Sequence, residues 1–144
     1  MRSVTEDDTA FARNVHREAY HDVIVRQFGS WDDALQSTFF DTSWAEPGFQ
    51  IISYGDSPCG YYRSETLPTE IKAHELVLLP AFQGKGIGTE LLRNLQKQAV
   101  VADLPIHLQV LKQNEAAELY ARLGFSPIDE TDTHINMEWL PPQI

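Results

Sequence analysis

The sequence predicts a mixed α/β (α+β) fold with the element order β-α-α-β-β-β-α-β-α-β-β. Three observations carry this. Apolar residues recur at helical spacing through the first third of the chain, and the period then shortens to strand-like runs up to "ELVLLP". Beyond the glycines at 84, 86 and 88, helix and strand patterns alternate to the end.

Taken in order, "SVT" is a short strand candidate ended by "TEDD", where Thr5 and Asp8 have the spacing of a capping box. A helix pattern follows through Phe11, Val15, Ala19 and Val23. Gly29 breaks it, Ser30 with Asp33 repeats the cap, and Trp31, Ala34, Leu35 and Phe39 recur as a second helical face. Tyr20, Phe28, Trp31 and Phe39 are expected in the core, with lining of a pocket as the alternative. "FQIISYGDSPCGYYRS" reads as a hairpin around a Gly-Asp-Ser-Pro turn. "EIKAHELVLLP" is a longer strand, apolar on both faces near its end and therefore central, and Pro80 stops it.

After the glycines, Ile87, Leu91, Leu95 and Ala99 form one helical face. "LPIHLQVLK" is a strand with Ile106, Leu108 and Val110 on one side. "NEAAELYARLGF" is a short helix opened by Asn114 and ended by Gly124, with Ala116, Leu119, Tyr120 and Leu123 on one face. "FSPID" and "HINMEWL" supply the last two strands.

At 144 residues the chain is expected to be one domain spanning 1–144, large enough to bury a core without crosslinks. A net charge of −10, with 11 Lys+Arg against 21 Asp+Glu, excludes a general nucleic-acid binder and mildly favours a cationic partner. No apolar run is long enough to span a bilayer, so no membrane association is expected. "MRSVTEDDTA" has no continuous apolar core of a secretory signal, and the single Cys59 has no internal partner; a cytoplasmic setting is expected.

The stretch "LPAFQGKGIG" poses the functional question. A Walker loop needs four residues between its glycines and then Gly-Lys-Ser/Thr; a dinucleotide fingerprint needs Gly-x-Gly-x-x-Gly near the start of a βαβ unit. Neither spacing is present in Gly84, Gly86 and Gly88. Two readings remain: a glycine-rich strand-to-helix connection with no ligand, or a turn of uncovered backbone N–H groups at a helix start, where orphan donors and the helix dipole favour an anion such as a pyrophosphate, with Lys85 adding charge.

"LVLLPAFQGKGIGTELL" resembles the acyl-CoA-binding motif of the GNAT superfamily of N-acetyltransferases, Gln/Arg-x-x-Gly-x-Gly/Ala, at Gln83, Gly86 and Gly88. "NEAAELYARLGF" resembles that superfamily's second motif, an Asn opening a helix, then Tyr and Leu-Gly-Phe. The resemblance is strong over Glu70–Trp139, and further stretches resemble a bacterial branch. It implies a mostly antiparallel, twisted sheet whose central strands splay apart, and an acetyl group passing from acetyl-CoA to the amine of a small molecule or an exposed protein amine. The alternative is a non-catalytic acyl-CoA-binding sensor or interaction module.

The resemblance further implies that Leu76 and Leu78 offer backbone groups to the pantetheine amides. Gln83, Gly84, Lys85, Gly86, Ile87, Gly88 and Thr89 would hold the pyrophosphate, and Asn114 would cap its helix, contact pantetheine, or both. Arg93 and Lys97 add local positive charge. Tyr120 would be the acid that serves the departing thiolate. The base stays open: one family position falls on Gln109, which cannot act as a base, and another on or near Lys72. His74 and Glu75 are the nearest titratable residues, on opposite faces of a regular strand, with His134 a third candidate. No metal is expected, and a homodimer is allowed.

Overall fold

A computed structural model describes residues 1–143. In chain order the described residues form β1 (Arg2–Ser3), α1 (Thr9–Phe28), α2 (Asp33–Trp44), β2 (Gln50–Tyr54), β3 (Ser57–Thr66) and β4 (Ile71–Leu78). There follow α3 (Ile87–Ala102), β5 (Ile106–Leu111), α4 (Ala116–Arg122), β6 (Ser126–Glu130) and β7 (His134–Trp139). This is the order predicted. The strands hydrogen-bond in the sequence β1-β2-β3-β4-β5-β7-β6, with β4 in the middle, as its two-sided apolar run requires. β4 and β5 pair in parallel, whereas β1–β2, β2–β3, β5–β7 and β6–β7 are antiparallel.

The chain parts into two compact units, Met1–Arg63 with Glu75–Lys85, and Ser64–His74 with the chain from Gly86 onward. In the first unit Ala12 and Val15 of α1, Phe40 of α2, Phe49, Ile51 of β2, Tyr61 of β3 and Val77 of β4 form the core. Its leading end is tied down by charge. Both guanidinium nitrogens of Arg2 reach Asp8, at 2.7 and 2.8 Å, and the same carboxylate accepts the Thr5 N–H at 2.8 Å. Arg2, then the Thr5 N–H, hold the Asp8 carboxyl down at about 2, so the stability it lends is present above the ordinary carboxylate range and is lost as pH falls towards 2.

The second helix departs from expectation by a small rotation with large consequences. Asp32, not Ser30, caps α2, its Oδ1 accepting the Leu35 N–H at 3.0 Å. The buried face is Gln36 and Phe40, while Leu35 and Phe39 face outward, Phe39 being 54% exposed; Phe28 of α1 is likewise 52% exposed. Gln36 tolerates burial because its Oε1 lies 3.1 Å from His16 Nε2 on α1. Apolar spacing selects the Leu35/Phe39 stripe, because polar Gln36 breaks the pattern of 36/40; only the partner on α1 makes that face the buried one.

Gly60 marks the closest approach in this unit. A Cβ built there would stand 2.0 Å from the Val77 carbonyl oxygen, where β3 runs beside β4. Gly60→Ala is therefore expected to destabilise the protein by about 3 kcal/mol, the upper end for overpacking, because backbone must shift. A urea midpoint equal to that of the parent protein would refute this.

In the second unit Ile71, Leu95, Ala99, Ile106, Leu108, Val110, Phe125 and Met137 form the core. The inward face of α3 is Gly88, Leu92, Leu95 and Ala99, with Ile87 and Leu91 only half-buried, again a rotation from the predicted stripe. β5 is buried at Ile106, Leu108 and Val110, as expected. On its other face His107 sits among carboxylates, Nδ1 3.1 Å from Glu70 and Nε2 2.8 Å from Glu138. Parallel pairing of β4 with β5 joins Ile71–Ala73 to Ile106–Leu108.

Candidate active site

Along β4 the burial alternates from Ile71 to His74 and then lapses: Glu75 and Leu76 are consecutive half-buried residues, followed by buried Val77. Glu75 belongs to the first unit. Its Oε1 accepts the Ser43 hydroxyl of α2 at 2.9 Å. Burial raises its pKa, and the Ser43 hydrogen bond and the Arg63 charge oppose that rise without cancelling it. Burial also raises the Tyr61 phenol well above its ordinary value, with the Glu75 and Tyr20 charges adding to the effect. Glu75 is thus a carboxyl group hydrogen-bonded to Ser43 and within electrostatic reach of Tyr61 and Arg63, in surroundings that favour its neutral form.

His74 is placed differently. It is exposed, in the second unit, and its Nε2 lies 2.9 Å from Glu65 Oε1 on β3. His134, also in the second unit, has its Nδ1 2.7 Å from the Thr133 hydroxyl, and burial lowers its pKa. Lys72 and Gln109 are exposed.

After β4 the chain makes a 3-10 turn over Pro80–Phe82. The Gln83 N–H donates to Pro80 O at 3.2 Å, and its side-chain amide donates to Leu78 O at 3.0 Å. Gln83 therefore fastens the turn to the strand end with both its backbone and its side chain. Gly84 and Gly86 take left-handed conformations, φ +77° and +83°, and no atom comes within 4 Å of where their Cβ atoms would stand. Such φ values favour glycine, and the missing side chains leave the backbone open to close approach. The first hydrogen bond of α3 runs from Glu90 N–H to Gly86 O at 3.0 Å. The amides of Ile87, Gly88 and Thr89 ahead of it are the orphan donors of a helix start. Gly88 is buried and Thr89 half-buried. Lys85 is exposed, its Nζ 5.8 Å from the Tyr54 ring centroid, and Tyr54 meets Phe82 edge-on at 6.1 Å.

In the second unit Asn114 Oδ1 accepts the Ala116 N–H at 2.9 Å at the start of α4. Tyr120 lies on that helix against the core and meets Phe125 edge-on at 6.0 Å. Burial pushes its phenol up to about 12. No hydrogen bond to the Tyr120 hydroxyl occurs among the described residues, and no buried side-chain oxygen or nitrogen among them lacks a partner. The hydroxyl therefore keeps contact with its surroundings. It bears its proton at neutral pH and has no acceptor among the described residues.

The first unit thus gathers Glu75, Leu76, Leu78, Gln83, Gly84 and Lys85. The second holds His74, Gly86, Ile87, Gly88, Thr89, Asn114 and Tyr120. Ser43, Tyr61 and Tyr54 were missed by motif reasoning: a serine within a helix carries no signal of its own, and Tyr61 and Tyr54 read as ordinary hairpin residues. Among the described residues no group of three or more His, Cys, Asp or Glu could hold a metal ion, and no helix is long and apolar enough to cross a membrane.

Solved structures share this architecture. The PaiA N-acetyltransferase of Thermoplasma acidophilum, crystallised with coenzyme A, superposes with a TM-score of 0.77 at 17% identity over 96% of each chain. The ribosomal-protein-S18-alanine N-acetyltransferase of Escherichia coli superposes with a TM-score of 0.66 at 19% identity, over 99% of this chain and 93% of that one. Ard1 of Thermoplasma volcanium gives 0.66 at 16% identity, over 99% and 97%. The fold is that of these acetyltransferases.

A sequence model of the acetyltransferase (GNAT) domain matches residues 44–127, more than half the chain, and the protein belongs to this family. No curated protein matches it significantly.

Proposed function

We propose that residues 1–144 act as one acyltransferase domain, moving the acetyl group of acetyl-CoA to a primary amine by direct attack in a ternary complex. The observation that carries this reading is the open turn after the central strand, where left-handed Gly84 and Gly86 expose backbone amides at the start of α3. Amides from Gly84 to Thr89 hold the pyrophosphate; Gln83 spends its own N–H and side chain on bracing the turn. The edge of β4 at Leu76 and Leu78 pairs with the pantetheine amides as an added strand would, and Asn114 contacts the same arm while its Oδ1 accepts the Ala116 N–H ahead of α4.

The amine must lose a proton before its nitrogen can attack the thioester carbonyl. We assign that proton to Glu75, whose burial brings its basicity nearer the working range, rather than to His74, which is exposed and engaged with Glu65. The tetrahedral intermediate then collapses with cleavage of the C–S bond. Tyr120, at about 12, is a weaker acid than an ordinary thiol at about 8.5. It serves the leaving thiolate as a hydrogen-bond donor, and solvent completes the protonation. The acceptor is a small molecule or an exposed protein amine, and the net charge of −10 favours a cationic one.

The test is thiol release from acetyl-CoA across a panel of amines, expected only when a suitable amine is present. Tyr120→Phe should lower turnover about 10²-fold with acetyl-CoA affinity unchanged. Normal turnover in that variant would remove the donor assignment, and acetyl-CoA binding without thiol release across the panel would overturn the enzyme reading.

A further inference from the structure

We propose that Tyr54, at the end of β2, is a positioning residue for the cofactor, its ring holding the Lys85 ammonium over the glycine turn for a phosphate of acetyl-CoA. The inference rests on the acetyl-CoA reading above and extends it to a residue outside either family motif.

The geometry lies within one unit. Lys85 Nζ stands 5.8 Å from the Tyr54 ring centroid, within the range of a cation–π contact. Tyr54 is itself steadied by Phe82, whose ring meets it edge-on at 6.1 Å and which belongs to the 3-10 turn directly ahead of the glycines. The hairpin end and the cofactor turn are thereby joined through two aromatic rings and one lysine. Tyr54 remains 49% exposed, which is unusual for a residue serving only the core.

The physical consequence concerns entropy. A free lysine at the tip of a glycine turn loses rotamer freedom when it meets a phosphate, and ordering one such side chain opposes binding. A ring that already restrains the ammonium removes part of that loss. Because the contact is exposed, the effect is modest: about a two- to five-fold change in affinity.

The experiment is calorimetric titration of the full chain with acetyl-CoA and with acetyl-dephospho-CoA, which lacks the 3′-phosphate. Tyr54→Leu should weaken acetyl-CoA binding about two- to five-fold, while Tyr54→Phe, which keeps the ring, should bind like the parent. In a Lys85→Ala background Tyr54→Leu should have no further effect, a non-additivity that a purely structural role for Tyr54 would not produce. Loss of the penalty with acetyl-dephospho-CoA places Lys85 at the 3′-phosphate, and its persistence places Lys85 at the pyrophosphate. Either result upholds the proposal. Unchanged or tighter binding by Tyr54→Leu, or an undiminished penalty in the Lys85→Ala background, overturns it. Failure of the parent protein to bind acetyl-CoA would instead strike at the cofactor reading itself.

Discussion

Glu75→Gln is expected to lower turnover by about 10²–10⁴-fold, the usual contribution of a positioned proton acceptor, while acetyl-CoA affinity is unchanged. The amide keeps an oxygen to accept from the Ser43 hydroxyl but takes no proton from the amine. The parent enzyme should gain activity with rising pH along a limb displaced above the ordinary carboxylate range, because burial raises the Glu75 pKa. The variant should lack that limb.

Stability should move in the opposite sense to activity. A carboxyl whose pKa is raised on folding favours the folded state while protonated, and that contribution is lost as pH rises through the folded-state pKa. Once ionised, the parent's carboxylate is poorly solvated, a cost that Glu75→Gln does not carry. The melting temperature of the variant should therefore match or exceed that of the parent at pH 7, the difference opening as pH rises. A variant less stable at pH 7, with undiminished turnover, would mean that Glu75 is a structural hydrogen-bonding residue.

Gly86→Val is expected to abolish measurable acetyl-CoA binding. The residue sits at φ +83° at the N-cap of α3, so a branched side chain costs about 1–2 kcal/mol in backbone strain alone. Nothing lies within 4 Å of the new Cβ, so the fold has room for it. The branch would instead occupy space that a pyrophosphate needs against the amides. A cooperative circular dichroism melt lowered by a few degrees, as that strain implies, together with no heat of binding on titration with acetyl-CoA, is the expected pair of results. Normal binding would remove the pyrophosphate turn from the proposal.

The two expected losses separate donor from acceptor chemistry. Gly86→Val removes binding, whereas Glu75→Gln leaves binding intact and removes turnover. Tyr120→Phe resembles Glu75→Gln in losing turnover and not binding, since a donor at about 12 assists departure of the thiolate without delivering a full proton.

Much of the architecture was legible because its signals are local. The element order follows from changes of period, the centrality of β4 from an apolar run on both faces, and the turn from glycines in a spacing that suits neither nucleotide motif. Helix rotation was less legible. On α2 the stripes 35/39 and 36/40 are one residue apart, and Gln36 turned inward because His16 on another helix satisfies its amide. On α3 the inward face similarly moved from Leu91 to Leu92.

The proton-handling residues show the same division. His74 and Glu75 are adjacent and both titratable, and a regular strand sends them to opposite faces. Strand parity could not say which one gains a buried environment.

By itself the sequence determined the order of elements, the open glycine turn with its family motif, and the acidic balance that favours a cationic acceptor. Only the tertiary structure decided that Glu75 meets Ser43 from a helix 32 residues earlier, and that Tyr54 stands over Lys85. The reason is physical. Periodicity and turn chemistry act over a few residues, whereas burial, and the pKa shift it causes, depends on groups that chain folding brings from afar.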